Sequence, residues 1–294
     1  MSAVQRIRSF VLDSPWRLWT RQMLAVVRME LKKSVITRRG LWIYLLAFAP
    51  VAIIGLHALD MKLRLAHPGS RVHESLSEDT QVLAGIFQFY YLRMGIFFGC
   101  MGIFTWLLRG EYVEKTLHYY LLAPIRRELM VLGKFVAGLL TSTLLFATGV
   151  LLSFALMYWG LGGEGEQFVF AGPGLGHLGA YLLVTALACV GYGALFMMLS
   201  MLLKNPIVPG IILLGWEGIS PVFPQAMQKL SVTFYLKHLT PVAVRAEGLM
   251  ALFTVVTDPV PKWLAVFGLL ALSSFVVFLA CLKARTLQVS YHTE

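Results

Sequence analysis

Six stretches of this chain, at residues 41–59, 82–108, 129–159, 178–203, 206–222 and 263–282, are too apolar and too long to be solvated by water. A helix needs about 20 apolar residues to cross the ~30 Å hydrocarbon layer of a bilayer. Inside that layer each peptide N–H and C=O must be satisfied within the protein, which leaves helices and closed barrels as spanning structures. Continuous apolar runs of this length predict helices. The expectation is an all-α integral membrane protein with six transmembrane helices. Hydrophobic residues fill 58% of the 294 positions and charged residues only 14%, against about 45–50% and about 25% in soluble domains.

The runs differ in quality. The third is long for one crossing, so it predicts a helix that tilts or protrudes from the lipid. The fifth contains Pro209, Gly210, Gly215 and Gly218 and is barely long enough. The first begins only near Leu41, well beyond the reach of a secretory leader, so the expected chain stays anchored without a cleaved signal.

A net charge of +10 can signal nucleic acid, but its placement here argues for a membrane surface. Arg6, Arg8, Arg17, Arg21, Arg28, Lys32, Lys33, Arg38 and Arg39 all precede the first run. With six spans they fall on the same side as the 109–134 loop, Lys204, and the tail with Lys283 and Arg285, and the positive-inside rule makes that side cytoplasmic. The segment from 220 to 262 weakens the rule, since it carries Lys229, Lys237, Arg245 and Lys262 on the opposite side. Its prolines and short apolar pieces, such as 249–256, predict re-entrant or interfacial helices outside the fifth span. Three regions follow: a cytoplasmic arm over 1–40, a membrane domain over 41–282 with its extracytoplasmic segment at 220–262, and a cytoplasmic tail over 283–294. Within the arm, Leu24, Val27, Leu31 and Val35 form an apolar stripe opposite Arg21, Arg28 and Lys32, the pattern of a helix lying along the inner leaflet.

Between the second and third runs, residues 109–134 are charged and amphipathic. Val113, Leu117, Tyr120 and Leu121 share one helical face, with Glu111, Glu114 and His118 on a face read as open to water or a partner. Pro124 ends that helix at 123 and suits the start of the next. The pattern Glu111, Glu114, Thr116, Leu117, Leu121, Leu122, Pro124, Arg126 and Lys134 resembles the cytoplasmic loop of ABC transporter permeases of the second, exporter-type class. That resemblance implies a coupling helix, at about 110–123, that docks on a separate ATPase through Glu111, Glu114, Lys115, His118, Leu121, Leu122, Pro124 and Arg126. It also implies an N-terminal elbow helix, two ATPase subunits as partners, and a second permease, identical or similar.

The chemistry an enzyme would need is missing from the sequence. No GxxxxGK[ST] occurs: Glu128 stands where the first glycine of a P-loop ending at Gly133 and Lys134 belongs. Any ATP and magnesium would therefore be held by the partner ATPase, with no cofactor or metal in this chain. HExxH and GxSxG are absent, and no two histidines are spaced i, i+4. Cys100, Cys189 and Cys281 each lie in an apolar run with no zinc or disulfide spacing.

Two ionisable residues interrupt the spans, Arg93 in the second and Glu217 in the fifth. A charge at the bilayer centre costs roughly 2.5–3.5 kcal/mol even on the lenient insertion scale, so such groups face a cavity or a partner. Helical rise puts both near mid-depth, and an interior or pathway ion pair between Arg93 and Glu217 is the expectation. The reading is a permease subunit of an ATP-driven exporter of hydrophobic or amphipathic cargo, in the inner membrane with both termini cytoplasmic. The alternatives are an ATPase-independent channel or secondary carrier, and a membrane scaffold of an envelope complex.

Overall fold

The computed structural model describes residues 16–36, 40–65, 76–113, 122, 125–203, 207–242, 244 and 260–286. Among these no strand occurs. Helix α1 is Trp16–Ile36 and α2 is Leu41–Leu65. A third helical column starts as α3, Leu76–Gly85, loosens into a π-helical stretch, Ile86–Gly95, and resumes as α4, Ile96–Val113. Helix α5 is Arg127–Gly160; a short α6, Gly163–Glu166, and a π turn, Gln167–Ala171, lead into α7, Gly174–Leu202. Helix α8 is Ile207–Ile219, followed by a 3₁₀ turn, Ser220–Val222, and two short helices, α9 (Gln225–Gln228) and α10 (Val232–Lys237). Helix α11, Lys262–Arg285, completes the described bundle.

Among the described residues five helical stretches are long and apolar enough to cross a membrane: Leu41–Leu63, Leu76–Glu111, Arg127–Gly160, Gly174–Leu202 and Lys262–Arg285. The fifth apolar run of the sequence forms the shorter helix Ile207–Val222. At about 1.5 Å per residue it reaches roughly 24 Å, less than the ~30 Å hydrocarbon layer. Pro209 leaves α8 intact because it stands in the first turn, where the peptide N–H has no intrahelical acceptor to lose.

Helix α5 is the axis of the bundle, packing against α1, α2, α4, α7 and α11, and α7 in turn packs on α4 and α11. Small residues let these rods approach. A Cβ on Gly149 of α5 would sit 2.5 Å from the Ala47 carbonyl oxygen of α2, so only glycine fits there. Gly99 of α4 receives the Phe146 ring of α5, which gives the glycines of the second span a part in internal packing. Tyr91 seals the same three-helix junction: its hydroxyl donates to the Ala47 carbonyl at 3.2 Å and lies 2.9 Å from Ser153 Oγ. Phe97, Phe104, Phe196 and Met197 are fully buried, as core fillers.

Four of the helices start or end close to the apolar boundaries read from the sequence. The second column differs, because it begins six residues earlier, at Leu76, and takes Glu78 and Asp79 into its first turn. Asp79 is buried there and lies 3.6 Å from His57 of α2. The apolar piece 249–256 lies outside the described residues, but α10 is nearly all buried, with Val232 to Leu236 packed on α7 and α11.

Candidate functional site

Helix α1 turns Val26, Val27 and Glu30 inward. This rotates the stripe expected from the sequence: Leu24 is exposed, and a carboxylate shares the packed face. The reason lies across the interface on α5, where Gly133 lets α1 come close and Lys134 follows it. A Cβ on Gly133 would lie 2.9 Å from Val26. Lys134 is 0% exposed. Its ammonium has three hydrogens, and three acceptors surround it: Glu30 Oε1 at 2.6 Å, Glu111 Oε1 at 2.7 Å and the Leu107 carbonyl at 3.0 Å. Lys33, half exposed, adds a contact of 3.3 Å to Glu111 Oε1. Glu30, Glu111, Lys33 and Lys134 thus form a charged cluster that joins α1, α4 and α5.

The direction of Glu111 corrects the sequence reading. It is 5% exposed and faces Lys134, away from water. Amphipathic periodicity says which residues share a face; it assigns the charged face to water only when no opposite charge waits across an interface. The other residues of the expected docking set are distributed as follows. Leu122 is 79% exposed. Arg126 is exposed and places its guanidinium 4.2 Å from the centre of the Trp19 ring of α1. Glu114, Lys115, His118, Leu121 and Pro124 lie outside the described residues. The stretch between α4 and α5 is therefore fastened to α1 at both ends, through Glu111 before it and Arg126 after it. At the same end of the bundle, Arg285 of α11 donates to Glu128 of α5 at 2.6 Å.

Glu30 is the residue that sequence reasoning missed. The available signal was a lone acid at i+3 and i+4 from Val27 and Val26, within a stripe whose other charges are basic.

The second polar site surrounds Glu217. Its carboxylate is buried and accepts three hydrogen bonds, from Ser231 Oγ at 2.6 Å, Val232 N at 2.9 Å and Thr233 N at 2.9 Å. These are the first peptide groups of α10, which need an acceptor, so Glu217 ties α8 to the chain 14 to 16 residues later. Arg93 lines the same cavity, of about 190 Å³, together with Met94, Phe97, Tyr192, Leu214, Glu217, Gly218 and Thr233. The structure sets Arg93 and Glu217 on one cavity without an ion pair within 4.0 Å; the carboxylate accepts from two peptide N–H groups and the Ser231 hydroxyl instead. The guanidinium lies 5.7 Å from the centre of the Phe89 ring. Gln88, one turn earlier on the π-helical stretch, donates to the Val242 carbonyl at 2.9 Å and holds the far side of the short-helix segment.

A helical bundle with five bilayer-length apolar helices defines a multi-pass membrane protein. Residues 24–232 match the family model for the ABC-2 family transporter protein, and the chain belongs to that family. It is thus a permease of the ABC-2 type, a transport subunit whose family works with ATPase partners. The matched region contains Glu30, Glu111, Lys134, Arg93 and Glu217. No curated protein matches the chain.

Proposed function

We propose that this chain is the membrane half of an ATP-driven exporter of hydrophobic or amphipathic cargo. Two copies, or one copy and a homologue, work with two ATPase subunits that hold the ATP and magnesium. In this reading the arm, the 110–123 coupling helix and the tail are cytoplasmic, α1 is the elbow helix, α8 counts as a short sixth span, and α9 and α10 are re-entrant. The membrane is the inner one.

The observation that carries this reading is the buried Lys134 cluster. A motion imposed on the coupling helix has to be handed to the membrane, and a soft loop would absorb it. Here the two helices that flank the loop are locked to each other and to α1 by a charged cluster whose centre, Lys134 with Glu30 and Glu111, is buried. Breaking one partner of such a cluster costs about 3–5 kcal/mol, so α1, α4 and α5 move together. The energy source is the difference in ATP affinity between the two conformations of the ATPase pair. Exposed Leu122 and Arg126, with Glu114, Lys115, His118, Leu121 and Pro124, are the proposed docking residues, while Glu111 acts as an anchor behind them.

The test is reconstitution with the cognate ATPase in lipid, reading ATP turnover and cargo movement together. Lys134→Met should let the complex assemble with loss of cargo movement per ATP. Lys134→Arg, which keeps a cation and donors facing Glu30, Glu111 and the Leu107 carbonyl, should retain more of it than Lys134→Met. Normal coupling in Lys134→Met, or transport by the purified permease without any ATPase, would remove this reading.

A further inference from the structure

The proposed transport function leaves open what the cavity beside Arg93 holds. Arg93 is half-buried in the middle of a membrane helix, where a charge is tolerated only with a partner or a wet cavity. Glu217, on the same cavity, has its carboxylate held by hydrogen bonds from Ser231, Val232 and Thr233 and makes no direct pair with Arg93. Among the described residues no carboxylate lies within the 4.0 Å of an ion pair with Arg93. Lys237 on α10 has its pKa held below the ordinary lysine range, by desolvation first and by the charge of Arg93 second, with Glu217 opposing.

The remaining lining gives the shape of the missing partner. Phe97 and Leu214 are apolar, and the hydroxyls of Thr233 and Tyr192 hydrogen-bond to each other at 3.1 Å. Met94 and Gly218, at the edge, are exposed on the surface of the bundle. At about 190 Å³ the cavity is smaller than the ~300–1,000 Å³ of sites for drug-sized ligands. It has room for a headgroup, with an exit toward lipid for whatever is attached.

From this we infer that the cavity binds the anionic group, a carboxylate or phosphate, of a single-tailed or lipid amphipath, held by Arg93 with its tail leaving past Met94 and Gly218. Guanidinium suits this task because its planar fork pairs with two oxygens of a carboxylate or phosphate at once. The inference deepens the exporter reading by naming an anionic amphipath as the cargo class. Its measurement needs no ATPase. Failure of binding would leave the coupling through Lys134 intact, and failure of coupling would leave binding intact.

The experiment is equilibrium binding to the full-length chain in a neutral detergent, read by quenching of tryptophan fluorescence. The probes are a brominated long-chain carboxylate and the quaternary ammonium of equal chain length, which reports non-specific partition. The carboxylate should bind at least about tenfold more tightly than the ammonium, the worth of one charge-assisted contact away from water. Arg93→Gln should abolish that preference and Arg93→Lys should keep part of it. Gly218→Leu provides an independent check, because a Cβ at Gly218 meets no atom within 4 Å, so the fold tolerates a side chain that fills the cavity mouth. That variant should lose binding with Arg93 in place.

Competitors then separate the two sources of the anion. Displacement of the probe by phosphatidylglycerol and not by phosphatidylcholine supports a lipid headgroup, and displacement by a soluble alkyl phosphate alone supports a free amphipath. Equal binding of the two brominated probes, undiminished carboxylate binding in folded Arg93→Gln, or undiminished binding in Gly218→Leu would overturn the site.

Discussion

The two buried charged sites of this permease solve the same desolvation problem in opposite ways. At the base, Lys134 is neutralised by acids from other helices, with Glu30 and Glu111 distant in sequence from it and from each other. Beside α8, Glu217 is solvated by the Ser231 hydroxyl and the peptide N–H groups of residues 232 and 233. The first arrangement bonds three helices into one body. The second organises one local turn, consumes no cation, and leaves Arg93 facing a cavity. A long-range cluster is a mechanical joint; a locally satisfied acid is a scaffold that keeps a nearby charge available.

This contrast can be broken or sharpened by substitution. Lys134→Met should have the largest effect, about 3–5 kcal/mol, because two carboxylates are left buried beside an apolar side chain. Thermal unfolding in detergent would measure it, with Lys134→Met combined with Glu30→Gln and Glu111→Gln, which removes the stranded carboxylate charges, as the partial rescue. A loss below about 1 kcal/mol would mean that the cluster is wetter than its burial indicates. Glu217→Ala should come next, at roughly 1.5–3 kcal/mol for charge-assisted hydrogen bonds. Its effect should be confined: limited proteolysis should accelerate within residues 225–242 and leave α1, α4 and α5 as resistant as before. Spread of that sensitivity to the base would erase the distinction between joint and scaffold.

Arg126→Ala removes an exposed cation from the face of Trp19 and should cost about 0.5–1 kcal/mol. Lys33→Ala should cost least, about 0–1 kcal/mol, because half of the lysine side chain is in solvent, where an ion pair is screened. High salt should mimic Lys33→Ala and leave Lys134 unaffected. If Lys33→Ala proved as damaging as Lys134→Met, the ranking by burial would be wrong.

Hydropathy carried most of the architecture. The runs at 41–59, 129–159, 178–203 and 263–282 became α2, α5, α7 and α11, since a bilayer imposes a length that single residues cannot hide. The candidate sites were harder. Periodicity places Glu111 on a face open to water or a partner because it is blind to a charge on another helix of the same chain, and Glu30 is passed over in a segment dominated by Arg and Lys. Arg93 and Glu217 stood out as charges in apolar runs, but their lack of pairing depends on where α10 begins, a fact set by Ser231 and a turn 14 residues away. The π-helical register at Ile86–Gly95 has no signature in composition, although it carries Gln88, Tyr91 and Arg93 together.

The glycine at 149 has a mechanical consequence. Of the glycines of α5 it leaves a Cβ the least room against another helix's backbone, at Ala47, and the rod runs unbroken on both sides of it for 34 residues in all. Lys134 lies about 22 Å below that point and Gly160 about 16 Å above it. A stiff beam resting on such a fulcrum behaves as a seesaw: a displacement at the charged end returns at the opposite end reversed and reduced to about three-quarters, by the ratio of these arms. Spin-label distances from either end of the beam to α7 should then change with opposite signs during a transport cycle.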